Sequence, residues 1–300
     1  VAEPDPENKN ELTYKAINSC ISFVGSLHGK QLITVEDLKQ GNELHPVQQS
    51  LVDNHGTQCG FCTPGFVMSA FALHKDIPTP NREEVVEALA GNLCRCTGYR
   101  SIIDAALEAS DANEPDSFAQ FYQQTVEQLI ELNKQPIAEL SQQNKHYFAP
   151  TSVNDLAIHL LAKPKATLVA GATDLGLDVT QNLAELPHLV YLGNVDALNA
   201  FTETASEFVI GSAVTYSQFS PALANEYHEL GEMIERIGSR QIRNSGTLGG
   251  NIGNASPIGD MPPALIALNA TMTLQKGDKL PDATLMTMTE NGPGPISVAE

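Results

Sequence analysis

The chain has 300 residues, enough for two domains of ordinary size, and 42% of them are apolar. Asp and Glu outnumber Lys and Arg by 36 to 17, and the resulting formal charge of −19 would repel nucleic acid and anionic lipid surfaces. No apolar run approaches the roughly 18 residues of a membrane-spanning helix, and the first residues do not resemble a secretory signal, so we expect a cytoplasmic protein without a membrane segment.

Residues 12–39 predict a short helix through Ala16, Ile17 and Cys20, followed by strand-like alternation around residues 21–24 and 31–34. This stretch is too short to fold alone.

Residues 45–110 contain four helix-like stretches, separated by residues that commonly begin or end helices. Pro46 begins the first stretch and Gly56 ends it. Asn81, followed three residues later by Glu84, predicts an N-cap and a capping box for the third. Two helical hairpins are the simplest packing of these four stretches.

The polar, Gln-rich residues 111–149 predict a linker with some helix. A second domain then begins near residue 150, and its mixed pattern predicts an α+β fold. Helices are predicted at 153–162 and through 230–234, and strands at 166–170, 189–192 and 208–211. Residues 279–300 show neither periodicity and receive no structural assignment.

The five cysteines are an odd number in a chain that shows no export signal, which argues against a disulfide framework. Four of them form a C-x2-C pair, Cys59 and Cys62, and a C-x-C pair, Cys94 and Cys96, with 31 residues between the pairs. Zinc sites more commonly use two C-x2-C pairs about 15–20 residues apart. The spacing favours a two-iron cluster and leaves zinc as the alternative. Cys20 stands alone, which is typical of a small buried apolar residue.

Two glycine-rich segments could approach a phosphate. Residues 168–176 run from a strand into a turn of small residues, although an ordinary tight turn explains this segment alone more simply. Residues 240–260 contain five glycines together with Asn, Ser, Thr and Asp, which suit a pyrophosphate and a flat ring. A flexible loop remains the alternative for the second segment.

The cysteine segments, residues 56–65 and 91–100, resemble the helical [2Fe–2S] domain of the xanthine dehydrogenase and aldehyde oxidase family almost residue for residue. The resemblance implies that four cysteines ligate one cluster: Cys59, Cys62, Cys94 and Cys96. It also implies that Gln58 faces a molybdopterin and that Cys20 is the last ligand of a second, plant-type cluster. The other three ligands of that cluster would lie in an earlier C-x4-C-x2-C run. This run is absent here, so we do not expect the second cluster to assemble on this chain.

The glycine-rich segments resemble, in order and separation, the flavin domain of the same family. The resemblance implies that one run wraps the FAD pyrophosphate: Leu168, Val169, Ala170, Gly171, Ala172, Thr173, Asp174 and Leu175. It implies contacts to phosphate and ring from Thr247, Gly250 and Asn251, an isoalloxazine contact from Asn254, and a ribose-side contact from Asp260. The resemblance fades after residue 278, before the final flavin subdomain of the family.

The implied fold is multi-domain, with α and α+β parts. Residues 1–40 would be the remnant of a β-grasp ferredoxin domain, 41–110 a four-helix [2Fe–2S] domain, and 111–149 a linker. Residues 150–278 would be an incomplete α+β FAD-binding domain of the vanillyl-alcohol oxidase and CO dehydrogenase flavoprotein type, followed by the unassigned tail 279–300.

The implied function is that of the electron-transfer subunit of a xanthine dehydrogenase. Electrons from a molybdopterin centre on a large partner subunit would pass through [2Fe–2S] clusters to FAD and then to NAD during oxidation of hypoxanthine and xanthine. The assembly would be a hetero-oligomer, and no side chain of this chain would act as an acid or base. The small subunit of an aldehyde oxidase or other molybdenum hydroxylase is a sister alternative, and a non-catalytic zinc-stabilised binding module is a remote one.

Overall fold

The computed structural model describes residues 1–6, 8–110, 116–135, 139–273, 286–289 and 292–295. The chain divides into two compact units. The first comprises residues 1–137 together with Gly238–Asn244, and the second comprises residues 138–237 and 245–300. In the described parts of the chain, every helix is too short or too polar to cross a membrane.

The first unit begins with an antiparallel pair of strands, β1 (Ala2–Pro4) and β2 (Leu12–Tyr14). The predicted α-helix through Cys20 does not form. The backbone N–H of Lys15 donates to the carbonyl of Val1 at 2.8 Å, which extends the ladder beyond β2 and keeps this backbone out of the helical conformation. Three short 3-10 helices follow, at Ser19–Ile21, Val24–Leu27 and Val35–Leu38.

Four helices form the core of the first unit, as the sequence predicts: α1 (Pro46–Asp53), α2 (Thr63–Asp76), α3 (Arg82–Leu89) and α4 (Arg100–Ser110). The predicted capping box is present, because Asn81 accepts bonds from the N–H groups of Glu83 and Glu84 while Glu84 accepts one from the Asn81 N–H. Such an N-cap stabilises a helix by about 1 kcal/mol. All four helices contribute to the core, including Val47, Leu51, Phe66, Phe71, Val85 and Ile102.

Residues 111–149, where polar composition predicts a linker, divide between the two units. Helices α5 (Ser117–Gln120) and α6 (Tyr122–Asn133) belong to the first unit, where the Tyr122 hydroxyl accepts a 2.7 Å bond from the N–H of Leu12. Strands β3 (Glu139–Gln142) and β4 (Lys145–Phe148) belong to the second. Since α6 buries Val126 and Leu129, a few apolar residues at helical spacing are sufficient to anchor this polar stretch.

The second unit contains a four-stranded sheet in the order β3-β4-β6-β5, where β5 is Thr167–Val169 and β6 is His188–Tyr191. The β3 and β4 strands are antiparallel, whereas β4, β6 and β5 are parallel. Parallel neighbours need crossover connections, which α7 (Val153–Ala162) and α8 (Leu175–Thr180) provide. The predicted strands and helix of this region are therefore present and form a mixed α/β unit.

The rest of the chain is mainly helical. A 3-10 helix (Asp196–Leu198) comes first, followed by the strands β7 (Phe201–Glu203) and β8 (Phe208–Ile210). Five helices follow: α9 (Tyr216–Glu226), α10 (His228–Glu235), α11 (Arg240–Arg243), α12 (Leu248–Asn254) and α13 (Met261–Ala267). The last described strands are β9 (Met286–Thr289) and β10 (Gly292–Pro295). A second core lies among α9, α10, α12 and α13 and contains Val214, Phe219, Leu223, Ile234, Leu248 and Met261. The unassigned tail contains the antiparallel pair β9 and β10, and its other residues lie outside the described part of the chain.

Candidate cofactor sites

Four of the five thiols lie on two loops of the first unit. Cys59 and Cys62 precede α2, and Cys94 and Cys96 precede α4. The thiols meet in two pairs that each take one member from either loop, Cys62 with Cys94 and Cys59 with Cys96. Among the described residues, no three His, Cys, Asp or Glu side chains lie close enough together to bind a single metal ion. Two facing pairs suit a cluster of two irons, which takes four thiolate ligands.

The two pairs differ in their surroundings. Cys62 and Cys94 pack against the apolar core of the helical unit, whereas Cys59 and Cys96 are exposed. Burial, and after it the contact with Cys94, raises the pKa of the Cys62 thiol to about 11. Because iron binds thiolates, loading this inner pair must displace a proton from Cys62.

The sulfur of Cys94 accepts several hydrogen bonds from its own loop. The Thr97 hydroxyl lies 3.2 Å from this sulfur, and the backbone N–H groups of Thr97 and Cys96 each donate to it at 3.4 Å. These contacts, led by the Thr97 hydroxyl, lower the pKa of Cys94 to about 7. The loop therefore favours the charged form of this ligand before any metal binds.

Left-handed backbone conformations shape both cysteine loops. Gly60 (φ 83°) lies inside the C-x2-C turn, and Gly98 (φ 70°) follows the C-x-C turn. Both conformations favour glycine, which has no Cβ to strain them. Tyr99 also has a positive φ (69°), and its hydroxyl accepts a 3.0 Å bond from the N–H of Cys94. Tyr99 thereby ties the C-x-C turn to the beginning of α4.

The two remaining predicted residues of this region are both exposed. Gln58 lies next to Cys59, and its predicted role toward a molybdopterin stays a prediction. Cys20 lies on a 3-10 turn and is exposed, so the interpretation of this lone cysteine as a buried apolar residue is wrong. Its predicted role as a ligand of a second cluster also stays a prediction.

In the second unit, the first glycine-rich turn packs directly on the second glycine-rich segment. A Cβ on Gly171 would lie 1.8 Å from the carbonyl oxygen of Ser245 and 3.0 Å from the Cα of Gly246. Only glycine permits this approach. The next residue, Ala172, is left-handed (φ 59°) and turns the chain toward α8. The fold thus brings together the two segments that the sequence predicts to share a flavin site.

Backbone hydrogen bonds hold the second segment in place. The N–H groups of Leu248 and Gly249 donate to carbonyls of residues 214 and 212, at 3.2 and 2.9 Å. Thr247 caps α12, since its hydroxyl accepts a 3.0 Å bond from the N–H of Gly250. The segment is an ordered helix start, and the alternative of a flexible Gly/Asn loop is wrong.

This region offers both an unpaired acceptor and open space. In the described structure, the Oδ1 atom of Asn251 is buried without a hydrogen-bond partner. Apart from the neighbouring backbone of its own helix, no described atom lies within 4 Å of the position that a Cβ would take on Gly253. An unpaired buried acceptor costs about 1–3 kcal/mol, which a donor on a ligand would offset. A flat ligand rich in hydrogen-bonding groups, such as FAD, fits these residues.

Three other predicted flavin residues lie at the ends of short helices of this unit and are exposed. Asp174 precedes α8, Asn254 ends α12, and Asp260 precedes α13. Asp260 is close enough to Tyr216 that, after burial, its charge contributes to raising the pKa of that phenol. The remaining predicted residues follow or belong to β5, and their individual contacts with FAD stay predictions.

Comparison with known protein families identifies a cofactor-binding domain in each half of the chain. Residues 34–107 match the model described as the [2Fe-2S] binding domain. Residues 139–292 match the model described as the FAD binding domain in molybdopterin dehydrogenase. The chain belongs to the molybdenum hydroxylase family. Its cofactors are therefore a [2Fe–2S] cluster and FAD, in a family whose third cofactor is molybdopterin.

Similar proteins include both xanthine dehydrogenases and aldehyde oxidases. The chain is 30% identical to xanthine dehydrogenase of Drosophila subobscura over 88% of its own length and 23% of that protein. It is 30% identical to aldehyde oxidase 2 of Macaca fascicularis over 91% of its length and 24% of that protein. The chain thus spans about a quarter of the length of these relatives.

Two solved structures share sequence with shorter parts of the chain. Quinoline 2-oxidoreductase from Pseudomonas putida 86 is 47% identical over 26% of this chain and 50% of its own, with a TM-score of 0.26. Carbon monoxide dehydrogenase from Hydrogenophaga pseudoflava is 28% identical over 43% of this chain and 46% of its own, with a TM-score of 0.38. The family assignment rests on the sequence matches.

Sequence reasoning did not assign Thr97 or Tyr99 a role, although both lie in the cysteine segment that resembles the family. The signal that could have indicated them is their position. A hydroxyl residue one to three positions after a cysteine ligand in a tight loop is close enough to hydrogen-bond the sulfur or its backbone.

Replacing Thr97 by valine is expected to lower the midpoint potential of the cluster. Hydrogen bonds to ligand sulfur stabilise the more negative, reduced state, so loss of the hydroxyl disfavours reduction. The expected change is on the order of 50 mV, since such a bond is worth about 1 kcal/mol. A dithionite titration followed by absorbance measures it. Thr97→Ser keeps the hydroxyl and should match the wild type, and equal potentials in all three proteins would contradict the role of Thr97.

Proposed function

We propose that this chain is the electron-transfer part of a xanthine dehydrogenase. Electrons would pass from a molybdopterin centre on a partner subunit, through [2Fe–2S] clusters, to FAD and then to NAD, during oxidation of hypoxanthine and xanthine. The observation that carries the proposal is that one chain has both two facing thiol pairs and a glycine-rich flavin region. When bound, a [2Fe–2S] cluster supplies one-electron chemistry and FAD supplies both one-electron and hydride chemistry.

The residues of this chain bind and orient these groups. The thiolates of Cys59, Cys62, Cys94 and Cys96 would hold the irons, and the Thr97 hydroxyl would donate to the inner sulfur. The turn at Gly171 and the acceptor of Asn251 would hold FAD. We assign no acid or base, because electron transfer through these groups needs positioning rather than proton transfer by a side chain.

The proposed domain organisation follows the resemblance. Residues 1–40 would be the end of a β-grasp ferredoxin domain, of which Cys20 would complete the cluster in a longer chain. Residues 41–110 would be the helical cluster domain, with Gln58 directed at a molybdopterin of the partner. Residues 150–278 would supply the flavin domain of the vanillyl-alcohol oxidase type, and the complete protein would be a hetero-oligomer with a molybdopterin-binding large subunit.

A second candidate function is electron transfer in an aldehyde oxidase. The chain is 30% identical to a xanthine dehydrogenase and 30% identical to an aldehyde oxidase, which supports both candidates equally. In this proposal the substrate pocket would lie on the partner subunit, so the two candidates would differ only there. Oxidation of xanthine, but not of an aromatic aldehyde, by the complete assembly with NAD would support the first candidate.

The proposal is tested by the visible absorption spectrum of the anaerobically purified chain, before and after dithionite, with assays of iron, zinc and flavin. We expect bands of oxidised [2Fe–2S] and flavin that bleach on reduction, with about two irons per chain. A colourless protein that contains zinc would favour the zinc-stabilised binding module and overturn the electron-transfer role. Iron without flavin would contradict the proposed flavin site on this chain.

A further inference from the structure

A short segment from the second half of the chain is packed into the first unit. Residues Gly238–Asn244, here called the docked segment, belong to the first unit although the residues on both sides of it belong to the second. Arg240 pairs with Asp76 and, at 3.6 Å, with Glu87, which also pairs with Arg243. The docked segment therefore contacts the ends of α2 and α3 through charged side chains.

Gln241 makes the most buried polar contacts of the docked segment. Gln241 is only 5% exposed. Its Nε2 donates to the Ser69 hydroxyl and to the Ala88 carbonyl, both at 2.9 Å. The same Ser69 oxygen accepts a 2.8 Å bond from Nδ2 of Asn92. Ser69 thus joins the buried amide of Gln241 and the half-buried amide of Asn92 in one network.

This network lies against two glycines that flank the cysteine loops. Asn92 lies two residues before the C-x-C pair, and a Cβ on Gly65, in the first turn of α2 after the C-x2-C pair, would lie 2.6 Å from its Oδ1. A Cβ on Gly91 would lie 1.9 Å from Oε1 of Gln241. The two amides therefore fill the space that these glycines leave, and they fix the loop residues that lead to the thiols.

We propose that Gln241 is a positioning residue for the [2Fe–2S] cluster, acting through Ser69 and Asn92 on the loop that carries Cys94 and Cys96. The proposal rests on the cluster assigned to the four thiols. It means that a residue within the matched flavin-domain sequence completes the packing of the cluster domain. Loss of its amide lets the C-x-C loop move relative to the C-x2-C loop without removing any ligand.

The test compares the 300-residue chain with its Gln241→Met variant, since methionine has a similar length and no amide. We expect iron release to a chelator to become about tenfold faster, the factor expected for loss of a buried hydrogen bond. We also expect a changed line shape in the electron paramagnetic resonance spectrum of the reduced cluster. An unchanged spectrum together with an unchanged release rate would overturn the proposal.

Two further variants separate positioning from folding. Arg240→Gln removes two ion pairs of the same docked segment, those with Asp76 and Glu87, and leaves the residues of the network unchanged. Its spectrum should match the wild type. A change as large as that of Gln241→Met would overturn the role of the amide. Ser69→Ala removes the acceptor that both amides share and should change the spectrum in the same way as Gln241→Met. If Gln241→Met folds poorly, Ser69→Ala tests the network in its place. A wild-type chain without iron would instead refute the proposed function itself.

Discussion

Replacement of Cys96 by alanine is expected to abolish the [2Fe–2S] cluster and electron delivery to FAD. A two-iron cluster needs four thiolates, and Cys96 is the partner of Cys59 in the exposed pair. We expect iron to fall from about two per chain to near zero. Iron assay and the visible spectrum measure the loss, and reduction of FAD in the complete assembly should stop while bound flavin remains.

Cys20→Ala is the matched control, because it removes an exposed thiol that lies outside the two pairs. This variant of the 300-residue chain should retain its iron and its spectrum. Equal iron loss in both variants would show that the assay reports general thiol damage. Full iron content in Cys96→Ala would refute the assignment of the four ligands.

Asp116→Asn is expected to lower the free energy of unfolding of the first unit by about 3 kcal/mol. The carboxylate is 3% exposed and lies 3.1 Å from Nε2 of His45 and 2.5 Å from Nζ of Lys75. It also accepts a 3.0 Å bond from the N–H of Ala119 at the start of α5. The amide would leave the half-buried ammonium of Lys75 without its counter-charge, which is costlier than the loss of the pair itself. Urea unfolding followed by circular dichroism measures the effect.

The same carboxylate predicts how stability depends on pH. Burial alone would raise the pKa of Asp116, but hydrogen bonds from His45 and Lys75 outweigh it and hold the pKa well below its usual value of 3.8. A carboxyl group with a lowered folded-state pKa stabilises the fold above its unfolded pKa. This stability is lost as the pH falls below about 4. The difference between wild type and Asp116→Asn should therefore begin to shrink at about pH 4 and continue to shrink as the pH falls further.

Glu131→Gln is the control for this variant, because it makes the same chemical change in an exposed pair. Glu131 lies 3.0 Å from Lys134, and both side chains are more than 60% exposed. An exposed pair of this kind contributes less than about 1 kcal/mol. If Asp116→Asn were no less stable than Glu131→Gln, Asp116 would not be the buried anchor that its contacts indicate.

Local sequence patterns determined the helical half of the first unit. The four helices follow from apolar spacing, and the cap at Asn81 follows from the distance to Glu84, because both signals act within one or two turns. The cysteine spacing likewise indicated a two-iron site, since the ligands lie in short loops between helices. The individual contacts of the flavin residues remain predictions.

Tertiary structure alone decided three features. The helix predicted through Cys20 is lost because strand pairing engages the backbone beside it. The thiols pair across the two loops because α2 and α4 pack on one core. Gln241 reaches Ser69, 172 residues earlier, because the docked segment packs on the first unit. No local pattern encodes such a contact, since it depends on which surfaces meet after the helices have formed.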